Sequence, residues 1–380
     1  MGGSTAVRTE GKWREFRSGP LRYRLAEPRD ESELRAVLRA NEMADWVSMS
    51  LEREPDYFAG EHLMGTTRTV IVRDQSRREA IVGMYAHSAY GVYWNGLPTV
   101  CEYLAALRVN RAYRNRVQVV RAGFDSIREL FESHWSAVRF TTIADGNLTA
   151  RRFLEAGLPG FPRYDFVGEY DTLAISVKRG RDSSRLTSMA PADVPRLVEF
   201  FNRSASRQQL SPVLDGSWLA EPTPAAGLAL KDFWVMEEEG RIRASLALWD
   251  QRTFKQAVAR GYTFPLQLLR PAYNLWADIS RRIRLPAVGQ PLEQVYISFL
   301  AFETDESTTI DLLREALARV AARGANVATL GMSPTHPLYS RILHEFAPVQ
   351  YRVRVYAVSW PGEEKVASDG RPVQPEVAML

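Results

Sequence analysis

Between an apolar run ending at Val109 and a helical pattern starting near Val117 stands the basic loop Asn110-Arg111-Ala112-Tyr113-Arg114-Asn115-Arg116. A helix start offers unpaired N–H groups and the positive end of a dipole. Guanidinium forks match phosphate oxygens, so a strand, an arginine loop and a helix N-terminus together suit a phosphate group. Other chemistries find less footing. His62, His87, His134, His336 and His344 show no metal-ligand spacing, and the only cysteine is Cys101, so no metal site is expected. Neither a Gly-x-Ser-x-Gly turn nor a Walker loop occurs. Cys101 reads as a small buried strand residue. Trp249-Asp250-Gln251-Arg252 with Lys255-Gln256 fits either a ligand-lining turn or a turn whose tryptophan packs on the core. Tyr85, Tyr90, Tyr93 and Trp94 fit a cleft wall or a hairpin face.

The elements that must hold that loop occur twice. Near the start, a short strand meets Pro28-Arg29-Asp30 and then a helical pattern of Leu34, Val37 and Leu38. After a polar stretch at Lys178–Ser184, a strand again meets Pro191-Ala192-Asp193, followed by Val194, Leu197, Val198 and Phe201. The aspartate in each is placed to cap the helix. A hairpin follows in both: Val70–Val72 with Ile81–Tyr85, and Phe233–Met236 with Ile242–Leu248. Next come a strand and a long helix: Glu102–Val109 with a helix near 116–134, and Tyr296–Phe302 with a helix near 308–323. Each half ends in a strand, Leu173–Val177 and Val353–Ser359. The second copy carries an insertion, Thr263 to Pro291, with a helical run of Leu275, Ile279 and Ile283 that Pro271 is placed to open. The expected organisation is an N-terminal arm (1–19), a first domain (20–178), a second domain (184–360) and a loose proline-bearing tail (361–380).

Composition agrees with two domains. The chain has 380 residues, and domains typically run to roughly 100–200. Apolar residues at 45% and charged residues at 25% exclude a largely disordered chain, and one cysteine excludes a disulfide scaffold. Net charge is +4, and Lys12, Lys178, Lys231, Lys255 and Lys365 are the only lysines. The arginine excess fits a compositional habit of the genome or a set of phosphate contacts. No run reaches the roughly 18 apolar residues of a membrane span, and the first twenty residues have no apolar centre of a leader. A cytoplasmic protein with no membrane partner is expected.

At the basic loop the chain resembles the GNAT acyltransferase superfamily. Leu107-Arg108-Val109 matches the end of the family's central strand, and Tyr113-Arg114 its tyrosine-arginine turn. The family's pyrophosphate loop runs Arg/Gln-x-x-Gly-x-Gly/Ala; here Arg114 opens it and Val117 and Val119 replace the two small residues. Branched side chains crowd the approach that glycine permits. Asn147 to Leu154 resembles the second family motif, with Asn147 in register and Leu154 where a tyrosine acid often stands. The resemblance implies a mixed-sheet α/β fold built as two tandem GNAT-like (acyl-CoA N-acyltransferase) domains. It implies acetyl-CoA or another acyl-CoA as co-substrate, held by Leu107, Arg108, Val109, Arg114, Asn115, Arg116, Val117, Gln118, Val119 and Asn147. It places the proton-transfer groups at Glu102 and Tyr103; an ion pair with a nearby arginine is the other role open to Glu102. The second half has Glu303-Thr304-Asp305-Glu306 where the loop would be, and acidic groups repel pyrophosphate.

The function expected from the resemblance is acyl-CoA-dependent N-acyl transfer to an amine of a small molecule or peptide. Two alternatives stay open: a GNAT-fold transferase using aminoacyl-tRNA, and a non-catalytic ligand-binding protein of this fold. Nucleic acid is expected as a partner only in the tRNA alternative.

Overall fold

The β-branched run Val70-Ile71-Val72 forms the middle of β5 (Thr66–Asp74), and a polar turn returns the chain as the long β6 (Ile81–Trp94). A computed structural model describes residues 5–9, 12–43, 46–61, 63, 65–77, 80–113, 116–131, 138–177, 186–219, 226–280, 282–303 and 306–380. The first half starts with β1 (Thr5–Thr9), β2 (Lys12–Ser18), β3 (Leu21–Leu25), α1 (Glu31–Ala40) and β4 (Val47–Glu52). After β6 come β7 (Leu97–Val109), α2 (Val117–Phe131), β8 (Val138–Ala144), α3 (Leu148–Glu155) and β9 (Arg163–Ser176).

The second half repeats the order. It runs through β10 (Thr187–Ser188), α4 (Val194–Ala205), β11 (Phe233–Glu238), β12 (Arg241–Trp249) and β13 (Gln256–Tyr262). Then follow α5 (Phe264–Ser280), β14 (Gln294–Phe302), α6 (Glu306–Ala322), β15 (Val327–Met332), α7 (Tyr339–Phe346) and β16 (Val349–Ser359). None of the described helices is long and apolar enough to cross a membrane.

Fourteen of the described strands form one mixed sheet, ordered β1-β2-β3-β5-β6-β7-β8-β16-β9-β15-β14-β12-β11-β10. The order shows an exchange at the centre. The last strand of the second half, β16, lies between β8 and β9 of the first, while β9 pairs with β15 of the second. The described residues form four apolar cores, the smallest packing Leu34 and Leu38 of α1 on Ile71 and Met84. Of the others, one lies under α2 and takes Tyr23, Val70, Tyr85, Leu104, Ile127 and Phe131. One lies under α6 and α7, and the exchanged β9 supplies its Leu173 and Ile175. The third is shared: Tyr90, Tyr103 and Phe140 meet Phe200, Trp249 and Phe299. Neighbouring residues on a strand face opposite sides, so Leu104 enters the α2 core and Tyr103 the shared one.

Four expectations need revising or restating. Of the arm expected to be flexible (1–19), residues 5–9 and 12–18 form β1 and β2 at the sheet edge; Phe16 is buried there against Tyr23, ring centroids 5.5 Å apart. Of residues 361–380, expected as a loose tail, the first ten are mostly exposed but the last ten are packed, with Val373, Val377 and Ala378 buried. Proline did not prevent this, because its carbonyl still accepts: Gln209 N–H donates to Pro372 O at 2.8 Å and Tyr170 Oη to Pro375 O at 2.5 Å. The insertion does hold a helix, but α5 opens at Phe264 with Pro265 in its first turn, and Pro271 lies inside it. The polar stretch at 178–184 lies outside the described residues.

His336, after β15, is buried, and its Nδ1 accepts from the Leu338 N–H at 3.2 Å. Burial disfavours the charged ring and pulls its pKa down to about 4. Its unfolded value is about 6.5, so between these pH values the unfolded chain binds the extra proton and the fold weakens as pH falls. Denaturant titrations should show up to about 3 kcal/mol lost from pH 6.5 to 4, a loss reduced in His336→Gln.

Candidate functional site

β7 is paired in parallel with β8 at only three positions, Cys101 with Val138, Glu102 with Arg139 and Tyr103 with Phe140. Beyond Tyr103 the two strands part, although β7 continues to Val109 and β8 to Ala144. Two side chains close the fork: Thr141 Oγ1 donates to Leu104 O at 2.7 Å, and Tyr103 Oη lies 2.9 Å from Thr142 Oγ1. Just past the fork is a β-bulge. Ala106 has φ +53°, and the β6–β7 register shifts between Met84 and Ala86. A bulge leaves its extra residue out of the ladder, with its N–H free for another acceptor. Exposure rises here: Ala105 and Ala106 are partly exposed and Leu107 is 51% exposed.

The second half shows what such a bulge holds. Phe299 in β14 has φ +52°, with a register shift against β12 at the matching place. β14 and β15 pair in parallel from Gln294/Val327 to Ile297/Leu330 and then part. The packed C-terminal segment fills that gap. Phe299 N–H donates to Glu376 Oε2 at 2.9 Å, while Gln374 donates to Gly331 O at 2.7 Å and accepts from Ser333 N–H at 3.1 Å. Burial pushes the Glu376 carboxyl up, with the backbone donors opposing it. Among the described residues, no segment bridges β7 and β8 in this way.

The end of β7 leads to the basic loop. Asn110 N–H donates to Val82 O and Tyr113 N–H to Asn110 O, both at 2.8 Å. Tyr113 Oη donates to Asp74 at 2.5 Å, and the Arg116 guanidinium lies 4.9 Å from the Tyr113 ring centre. The loop is thereby fixed on the sheet, with Arg111, Arg116, Val117 and Gln118 exposed at the α2 N-terminus. Arg114 and Asn115 lie outside the described residues. Val119 is half-buried, and its carbonyl accepts from Tyr23 Oη at 3.2 Å. Asn147, at the end of β8, caps α3 by accepting from Ala150 N–H at 3.2 Å. Leu154 packs on the core under α2.

The two proton-transfer candidates lie on opposite faces of β7. Tyr103 is buried, its ring stacked on Phe140 at 4.7 Å. Burial raises its pKa, so it keeps its proton. Glu102 is 1% exposed, 3.1 Å from His87 Nε2 and 3.6 Å from Arg139 Nε. Arg139 also holds Glu363 at 2.7 Å, and His87 stacks on Phe131. The Trp249–Gln256 cluster forms a clamp on the C-terminal segment. Trp249 is core, Gln251 donates to Ala378 O at 3.0 Å, and Lys255 Nζ donates to Leu380 O at 2.7 Å. Burial lowers the Lys255 pKa to about 7. Of the acidic stretch in the second half, Glu303 pairs with Arg203 at 2.6 Å. A surface cavity of about 470 Å³ is lined by Leu25, Glu27, Arg29, Glu61, Thr67 and Arg68. Thr67 pairs with Ser88 and Ser88 with Tyr103, so it lies two strands, about 10 Å, from Tyr103.

Sequence reasoning missed the bulges and Glu376. Alanine and phenylalanine give no sign of a positive φ, and a lone glutamate in a proline-bearing stretch reads as surface.

No protein-family model and no curated protein matches the chain. Solved structures do. N-myristoyltransferase of Saccharomyces cerevisiae with bound myristoyl-CoA is similar at 11% identity and a TM-score of 0.59, over 93% of this chain and 88% of that one. The same enzyme with myristoyl-CoA and inhibitors gives a TM-score of 0.61 at 11% identity, covering 94% and 86%. A GCN5-related N-acetyltransferase from Sphaerobacter thermophilus gives 0.53 at 12% identity, covering 92% and 98%. The chain thus has the GNAT fold, in a two-domain arrangement.

Valine at position 106 would put a β-branched residue at a positive φ. Ala106→Val should lower stability by roughly 1–2 kcal/mol in denaturant titration, while Ala106→Gly should cost nothing.

Proposed function

We propose that the chain is an acyl-CoA-dependent N-acyltransferase that binds one acyl-CoA in the first half and acylates an amine of a small molecule or peptide. The parted strands β7 and β8 beside the Ala106 bulge carry this reading. The filled counterpart supports it, because there a bulge N–H already holds a carboxylate oxygen. In the first half the same donor would meet the thioester oxygen, where charge develops in the transition state. The pantetheine arm would lie along Leu107, Arg108 and Val109. The pyrophosphate would lie at the α2 start, between Arg114, Asn115, Arg116, Val117, Gln118 and Val119. Asn147 would border the cleft from β8. The names of the structural neighbours, N-myristoyl- and N-acetyltransferases, agree with an amine acceptor.

The amine nitrogen would bond to the thioester carbon, the C–S bond would break, and the amine proton would leave to a base. Tyr103, protonated and at the fork, would protonate the departing thiolate. Glu102 would accept the amine proton through His87 or water, since its carboxylate is buried.

Calorimetric titration tests the donor site. Wild type should bind acetyl-CoA or a longer acyl-CoA, and the Arg114→Ala, Arg116→Ala double variant should bind at least about tenfold more weakly, having lost two charge-assisted contacts. No binding by the wild type at millimolar coenzyme would sink the proposal. Glu102→Gln should keep its affinity and lose about 100-fold or more in kcat, the usual share of a proton-transfer group.

A further inference from the structure

Helix α5 is built inside out. Its inward side meets the returning segment 282–288 through polar groups. Arg270 donates to Pro286 O at 2.9 Å, and the Asn274 side chain brackets Leu285 with bonds of 3.0 and 2.8 Å. Ala277 is its buried residue. The opposite side carries Phe264, Leu268, Leu275 and Ile279, which fall within one narrow arc at 100° per residue, with Trp276 at its border. Trp46 adjoins the helix start, since its carbonyl accepts from Thr263 N–H at 3.1 Å. These six side chains are 51 to 79% exposed. A contiguous patch of that kind marks a contact surface.

We propose that α5 and Trp46 form a docking surface for an anionic lipid bilayer, with the helix lying in the interface and its apolar side among the acyl chains. Charge selects this occupant. Residues 263–291 contain Arg270, Arg281, Arg282 and Arg284 against Asp278 alone, a net +3 of the chain's +4. Arg270 is turned inward to Pro286 O, while Arg282 and Arg284 are exposed, Arg284 lying 3.5 Å from Asp278. Cations flanking an apolar helix face, with tryptophan at its margin, match the layered chemistry of a headgroup region. A second copy of the chain fits less well, because an isologous contact would set two patches of the same net positive charge against each other. The helix would lie on the bilayer rather than cross it. The sequence expectation of no membrane partner rested on the absence of a span, and an amphipathic surface helix escapes that criterion.

The test is co-sedimentation of the full chain with phosphatidylcholine vesicles, alone or with about one-third phosphatidylserine. Binding should be confined to the anionic vesicles and should fall as salt rises. Leu268→Gln with Ile279→Gln should lower the partition coefficient by about tenfold or more, because both side chains leave the acyl layer. Arg282→Gln with Arg284→Gln should weaken binding and flatten its salt dependence. Both pairs are exposed, so thermal unfolding should match the wild type and exclude misfolding as the cause. Binding to neither vesicle, equal binding to both, or unchanged binding by Leu268→Gln with Ile279→Gln would overturn the proposal. So would a concentration-dependent dimer that ignores vesicles.

Discussion

Two parallel strands that stop pairing leave N–H and C=O groups facing one another with nothing between them. Backbone groups inside a protein need partners, so such a fork must be filled by chain, water or ligand. This protein has two forks and treats them differently. At the second, Gln374 and Glu376 take the places of a missing strand, and Tyr170 and Lys255 hold their segment down. At the first, Thr141 and Tyr103 close the point of the fork, and no described segment takes the place of a strand beyond it.

Much of this organisation was legible in the sequence. The tandem repeat showed in residue types alone, because hairpins and amphipathic helices have periods that survive divergence. The loop at 110–116 was legible too, since its neighbours Val109 and Val117 mark a strand end and a helix start. Glu102 stood out as a carboxylate in a strand, but its burial between His87 and Arg139 did not, because those partners come from other strands. The bulges were hidden, since a positive φ at Ala106 or Phe299 is imposed by packing, not by residue type. The C-terminal segment was misread for a related reason: its carbonyl groups, which carry the contacts, have no signature in composition.

The arginine excess also divides once the structure is known. Arg24, Arg73 and Arg352 are spent on carboxylates: the first two hold Asp30, and the third holds the buried Asp171 with bonds of 2.8 and 2.9 Å. Others, such as Arg116 and Arg282, are exposed at two separate places.

The exchanged strand carries a consequence for biosynthesis. β8 leaves the ribosome about two hundred residues before β16, the strand that must lie against it. Until then β8 and β9 each present an unsatisfied edge toward the gap between them, and the first half has no finished sheet. Long-range pairing of this kind is slow and leaves open edges that attract other chains. The nascent first half must therefore wait, shielded or unfolded, for the last strand to be made. The two halves look like separable modules, yet they become native together, once β16 has been made.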